Sequence, residues 1–135
     1  HGCLEQYISE PAVLSCYREL SGRTTVSIDD LVWAYNQKET AALAVTDEFT
    51  TYLACGINNL WNLFSPECII LNCQLTAYLP QLLPEILQKL SPRFRATCHL
   101  KLSTLQDTGV LLGAAKVCIS KYLGTEKLYF PGFQP

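Results

Sequence analysis

From Thr40 onward the apolar residues Ala41, Ala44, Val45, Phe49, Tyr52, Leu53, Gly56, Ile57, Leu60, Trp61 and Phe64 recur at intervals of three and four until Pro66. A period near 3.6 sustained this far predicts one long helix carrying a broad stripe to bury. Residues 67–72, Glu-Cys-Ile-Ile-Leu-Asn, follow at once. A short apolar run after a proline predicts a strand covered on both faces, as in a parallel sheet. Thr97 to Ser103 alternates, with Cys98, Leu100 and Leu102 on one side and Thr97, His99, Lys101 and Ser103 on the other, which predicts a second strand. Between the two, Pro80 and Pro84 bracket a helix start, Glu85 lies where the N-terminal dipole favours an acid, and the helix should reach about Leu90. Two strands joined through a helix form a right-handed parallel unit. They are thin cover for so much apolar helix, so further strands are expected outside this sequence or from a partner.

The remaining segments are helical in pattern. Leu4, Tyr7 and Ile8, then Pro11, Val13, Leu14 and Tyr17, suit two short helices broken near Pro11, the second closed by Gly22. Ser27 with Asp30 three positions later is a capping-box pattern, with Asp in the place of Glu, and predicts a helix from about Ile28 to Tyr35. A last helix should run from about Thr108 to Tyr122, packing Val110, Leu111, Ala114, Ala115, Cys118 and Ile119, with Gly124 as its stop. The expected organisation is a packed unit over residues 1–123 and a docked tail over 124–135 carrying Tyr129, Phe130 and Phe133.

Composition excludes several classes. With 49% apolar and 16% charged residues in 135, the chain suits one globular unit of the α/β class, helix-rich with a small sheet. No apolar run is long enough for a membrane span and no leader pattern opens the chain, which together point to the cytoplasm. A formal charge of −2 with scattered basic residues gives no face for many phosphates, so these residues should not bind DNA themselves. Arg93 and Arg95 read as a solvated loop. Seven cysteines, an odd number sitting mostly in apolar runs, argue for packed reduced thiols rather than a disulfide scaffold. The sequence opens at His1 and contains no Met, which fits a fragment or an excised domain.

Few residues suggest chemistry on their own. His1 and His99 are far apart, no cysteine pair has zinc-knuckle spacing, and there is no glycine-rich phosphate loop of the Walker kind. His99 falls on the polar side of its strand, and Asp29, Asp30, Asp47 and Glu48 read as helix-start and solvent-face charges.

Three motifs in order carry a resemblance. Gly2-Cys3-Leu4-Glu5, followed by Gln6-Tyr7-Ile8-Ser9, resembles the end of the ROK signature. Gly56-Ile57-Asn58-Asn59-Leu60 with Asn62-Leu63-Phe64-Ser65-Pro66-Glu67-Cys68-Ile69-Ile70-Leu71 resembles that family's long helix, its Asn-Leu-Phe-x-Pro-Glu turn and the strand after it. Gly109-Val110-Leu111-Leu112-Gly113-Ala114-Ala115 is similar to the opening of the family's last helix. The resemblance implies an actin-like ATPase fold of two ribonuclease-H-like domains, with this chain forming the later part of the second.

Residue roles follow from the same resemblance. Cys3 matches the last of three cysteines that, with an upstream His, hold a structural zinc; alone it is an incomplete site, and zinc is implied only for the full-length protein. Glu5 matches the glutamate that accepts hydrogen bonds from sugar hydroxyls, although an acid in the first turn of a helix has an alternative role toward the dipole. The family's kinases end the strand corresponding to Cys68–Leu71 in consecutive glycines that admit the nucleotide, whereas Asn72 and Cys73 stand here, so this loop reads as vestigial. Gly109 and Gly113 suit tight packing, with a nucleotide role second. The kinases' catalytic Asp belongs to the first domain and matches nothing in these residues. The expectation is therefore the sugar-sensing and oligomerisation part of a regulator similar to the family's N-acetylglucosamine repressors. It would respond to a sugar or sugar phosphate, work as a homodimer, and reach DNA only through an N-terminal helix-turn-helix. The alternative is the same part of an ATP-dependent sugar kinase.

Overall fold

The structure is a computed structural model that describes residues 2–105 and 108–124. It divides into two units, one ending at Ser103 and one beginning at Thr104, and each is described by itself.

The first unit opens with two helices, α1 (Glu5–Ile8) and α2 (Glu10–Ser21), separated at Ser9, whose extended backbone lets Pro11 fall in the first turn of α2. Gly22 ends α2 in the left-handed region at φ 69°, where a side chain would be strained. In α3 (Ile28–Asn36) the capping box forms as the sequence predicts: the Asp30 N–H donates to Ser27 Oγ at 3.2 Å and the Ser27 N–H to Asp30 Oδ2 at 2.8 Å. The Ser27 hydroxyl, which donates to Asp30 Oδ2 at 2.7 Å, and then the Ser27 N–H hold the Asp30 carboxyl below its ordinary pKa.

The long helix is α4 (Thr40–Phe64), closed by Ser65 at φ 47° just before Pro66. Its buried stripe is Ala42, Val45, Thr46, Phe49, Thr50, Leu53, Ala54, Gly56 and Ile57. Thr46 and Thr50 enter the core because their hydroxyls donate back to the helix, to Ala42 O at 2.9 Å and Asp47 O at 2.9 Å. The stripe stops at Ile57, so Leu60 and Phe64, expected inside, are exposed.

Strand β1 (Cys68–Leu71) pairs in parallel with β2 (His99–Leu102), Cys68 opposite His99 and Leu71 opposite Leu102. Between them run α5 (Gln74–Tyr78), α6 (Leu82–Lys89) and α7 (Pro92–Thr97). Burial alternates along both strands: Ile69, Leu71 and Leu100 pack on the core while Cys68, Ile70, His99 and Lys101 are exposed. The expectation of a β1 covered on both faces is thus corrected to one covered face. Arg93 and Arg95 lie on α7 rather than in a loop, because Ser91 Oγ accepts the Phe94 N–H at 3.2 Å and Pro92 starts the helix.

The core runs from Val13 and Tyr17 through Phe49 and Leu53 to Leu82, Ile86, Leu90 and Phe94, the last meeting Trp61 edge-on at 6.0 Å. Truncating a buried aromatic such as Phe94 to Ala would cost about 3–5 kcal/mol. All seven cysteines are free, but only Cys98 is buried, and Cys3, Cys55, Cys68 and Cys118 are exposed. The packed-thiol expectation fails for those four because they sit on outward positions of their elements.

The second unit contains α8 (Thr108–Leu123), which Gly124 follows in the left-handed region at φ 62°. None of its residues is buried, contrary to the packed face expected at Val110 to Ile119; among the described residues of this unit α8 has no second element to bury against. The expected tail beyond Gly124 and His1 lie outside the described residues. No described helix is long and apolar enough to cross a membrane.

Candidate functional site

Glu5 is the first residue of α1, exposed, with Leu4 before it as N-cap. Its backbone carbonyl accepts the Ser9 N–H at 3.0 Å, which closes the single turn. Among the described residues no hydrogen bond or ion pair reaches its carboxylate. Four residues make a marginal helix, and α1 is held instead by packing on α2 and α4. The Tyr7 ring lies against Tyr52 with centroids 4.4 Å apart, and the Leu4 side chain seats over Gly56. A Cβ at Gly56 would stand 2.5 Å from Leu4 Cδ2, closer than side chains approach.

Cys3, directly before this turn, is exposed. Among the described residues no three His, Cys, Asp or Glu side chains converge on one point. They do not by themselves fit a structural zinc, which needs about four ligands. The thiol nearest α1 that faces inward, Cys16, donates to Glu48 Oε2 at 3.8 Å. Burial, and then the Glu48 and Glu19 carboxylates, push its pKa up, so it stays a neutral thiol.

Asn72 and Cys73 lie on a different element, where β1 leaves the sheet. In open parallel sheets ligands gather outside the carboxyl ends of the strands, and this is that edge, with Ser103 N–H donating to Leu71 O at 2.8 Å beside it. Asn72 is exposed and Cys73 half-buried. Cys73 caps α5: its carbonyl accepts from the Ala77 N–H at 3.1 Å and from Thr76 Oγ1 at 2.8 Å. Its φ of −140° is ordinary extended backbone, so nothing local demands glycine there.

Three concavities lie elsewhere. One of about 60 Å³ sits between α1, α2 and α4, lined by Gln6, Tyr7, Cys16, Glu48 and others, with room for little more than water. A shallow one of about 380 Å³ lies between α2 and residues 24–26, with Arg18 at its rim, and another of about 470 Å³ runs along Cys55, Asn58 and Lys89. None of the three includes Glu5, Cys3, Asn72 or Cys73. The structure therefore places the two expected binding elements on separate supports, Glu5 on α1 and Asn72 with Cys73 at the exit of β1.

The sequence reading missed what Gly56 does: it treated the residue as one more stripe position. A glycine inside an otherwise apolar helix was the available signal, because such a glycine often marks close approach of another chain segment.

Residues 1–121 match the ROK family. The xylose repressor of Bacillus spizizenii is 28% identical over 131 residues, 94% of this chain and 34% of the repressor. That of Bacillus subtilis is 25% identical over 90% of this chain and 32% of its own length. The N-acetyl-D-glucosamine kinase of Haemophilus influenzae is 28% identical over 88% of this chain and 40% of the kinase. The chain thus spans about a third of the curated repressors it matches. Among solved structures, a candidate sugar kinase from Cytophaga hutchinsonii superposes with a TM-score of 0.71 at 18% identity, covering 86% of this chain and 44% of that one. That likeness shows the fold.

Proposed function

The chain belongs to the ROK family, and on that footing we propose that it is the C-terminal sugar-sensing portion of a transcriptional regulator of sugar metabolism. The carrying observation is the β1 exit. Where the resemblance implies paired glycines for a nucleotide, this chain puts Asn72 and a Cys73 that caps α5, and side chains there crowd the approach of a phosphate. The xylose repressors among its relatives support the same reading and make D-xylose the first effector to test.

In this reading Glu5 accepts hydrogen bonds from vicinal sugar hydroxyls, its two oxygens free of protein partners among the described residues. Sugar binding would favour one interdomain angle in the whole protein. In a homodimer that angle sets the spacing of helix-turn-helix heads on DNA, so the sugar acts by shifting a population. A second reading, the matching portion of a sugar kinase, is favoured by the relationship to the N-acetyl-D-glucosamine kinase.

The two readings part in the full-length protein. Incubated with ATP and either D-xylose or N-acetyl-D-glucosamine, a regulator should form no sugar phosphate, and the sugar alone should change its affinity for operator DNA. Turnover on the order of 1–100 per second, the range of phosphoryl-transfer enzymes, would establish the kinase instead. Glu5→Gln keeps the shape but loses the charge, and hydrogen bonds to charged groups are worth roughly 1.5–3 kcal/mol, so sugar affinity should fall about tenfold to a hundredfold.

A further inference from the structure

Gly56 sits buried in the middle of α4, where glycine costs a helix about 1 kcal/mol relative to alanine. Leu4 accounts for it. An alanine methyl at position 56 would fall 2.5 Å from Leu4 Cδ2 and 3.7 Å from Leu4 Cγ, so the far end of the Leu4 side chain, which is 40% exposed, would have to shift off α4.

What depends on that seat is the direction of Glu5. The α1 turn has no side-chain cap at Leu4 and no buried residue of its own, so its conformation comes from packing on α2 and α4. On the α4 side the contacts are Leu4 over Gly56 and Tyr7 against Tyr52. Positions 52 and 56 are one helical turn apart on α4, and Leu4 and Tyr7 flank Glu5 in the chain. Glu5 is therefore pinned on both sides through its neighbours, while no described group holds its carboxylate directly.

We propose that Gly56 is a positioning residue for the sugar site: by lacking a side chain it lets Leu4 dock on α4 and so aims the Glu5 carboxylate at the sugar hydroxyls. The proposal rests on the reading of Glu5 as a sugar acceptor. Its signature differs from that of a structural glycine. Alanine is the better helix former, so Gly56→Ala should not lower the thermal midpoint, yet it should weaken sugar binding.

The experiment is calorimetric titration of the full-length protein with D-xylose and with N-acetyl-D-glucosamine, paired with thermal unfolding, for the parent, Glu5→Gln, Gly56→Ala and Gly56→Ala with Leu4→Ala. For whichever sugar the parent binds, Gly56→Ala should lose roughly tenfold in affinity, a change of about 1.4 kcal/mol. Adding Leu4→Ala should cost little further, because the seat that the Leu4 side chain would give up is already lost to the methyl at position 56. Parent-like affinity in Gly56→Ala beside a weakened Glu5→Gln would leave the Glu5 reading standing and remove the role of Gly56. A further loss of similar size on adding Leu4→Ala, which would mean that Leu4 still holds its seat beside Ala at position 56, would remove it as well. If the parent binds neither sugar, or Glu5→Gln binds as tightly as the parent, the reading of Glu5 falls and the positioning role with it.

Discussion

Tyr35 donates its hydroxyl to Glu85 Oε1 at 2.8 Å, joining α3 to α6 across fifty residues of chain. Both side chains are half-buried, so the bond is shielded more than a surface pair would be. Burial first, and then the Glu85 carboxylate, push the phenol up to about 12. The unfolded phenol titrates near 10, so the folded state holds its proton more tightly. This contribution to stability is complete below about pH 10 and is lost as the pH rises toward about 12. Tyr35→Phe should therefore be less stable at neutral pH by about 1 kcal/mol, and its deficit relative to the parent should narrow through that alkaline window. Paired chemical denaturation at neutral and alkaline pH measures it. A deficit that stays constant would mean that the phenol proton is not linked to folding through Glu85. The neighbouring network around Glu39, which accepts from Tyr17 Oη at 3.3 Å and from Arg23 Nη2 at 3.0 Å, is the counterpart that ties α2 to the start of α4.

Between elements, α4 and α6 share a junction at Lys89, the last residue of α6. Its ammonium offers three protons to four oxygens: Asp47 O at 2.8 Å, Asp47 Oδ1 at 2.5 Å, Thr50 Oγ1 at 2.8 Å and Thr51 Oγ1 at 2.8 Å. The Asp47 side chain is 74% exposed and that of Lys89 only 27%, which decides the energetics. The ion pair is screened by water and worth little, whereas the bonds to the carbonyl and the two hydroxyls all draw on a charged donor and the one to Thr50 Oγ1 is partly buried. Lys89→Met should cost about 1–2 kcal/mol through those bonds, while Asp47→Asn should cost under about 0.5 kcal/mol. Equal costs in thermal melts, or a Lys89 effect that vanishes at high salt, would give the ion pair the larger share. The elements themselves were legible where pattern is long or punctuation strong. The 3.6-residue period sets α4, the Ser27 and Asp30 pair starts α3, and Gly22 and Gly124 stand where a left-handed residue is needed. Two short helices, α5 and α7, were not foreseen. The first has five residues and no side-chain cap to announce it, and the Ser91-Pro92 start of the second was masked by the arginines that follow.

At the scale of the molecule, sequence pattern yields the layer arrangement but not its coverage. Alternation along Cys68–Leu71 was invisible because every residue in that run is apolar, and only the pairing with β2 separates the covered side from the open one. The site was less legible than the fold for a related reason. Glu5 and Cys3 come from resemblance, while what orients Glu5 is a contact between residues 4 and 56 that no local pattern encodes. The distribution of the core makes one prediction about the whole chain. Among the described residues every buried hydrophobic one lies between Val13 and Cys98, and α8 contributes none. A 16-residue helix is close to the length at which isolated helices are marginal in water, so α8 adds little cohesion of its own. A chain ending at Ser103 should therefore still unfold in one cooperative transition, with its midpoint shifted by less than about 4 °C, equivalent to under about 1 kcal/mol for a domain of this size. Its far-ultraviolet signal should fall by no more than the share of one helix. Loss of the cooperative transition on truncation would mean that residues beyond Ser103 supply core that the first unit lacks, and the division of the chain at that point would have to be abandoned.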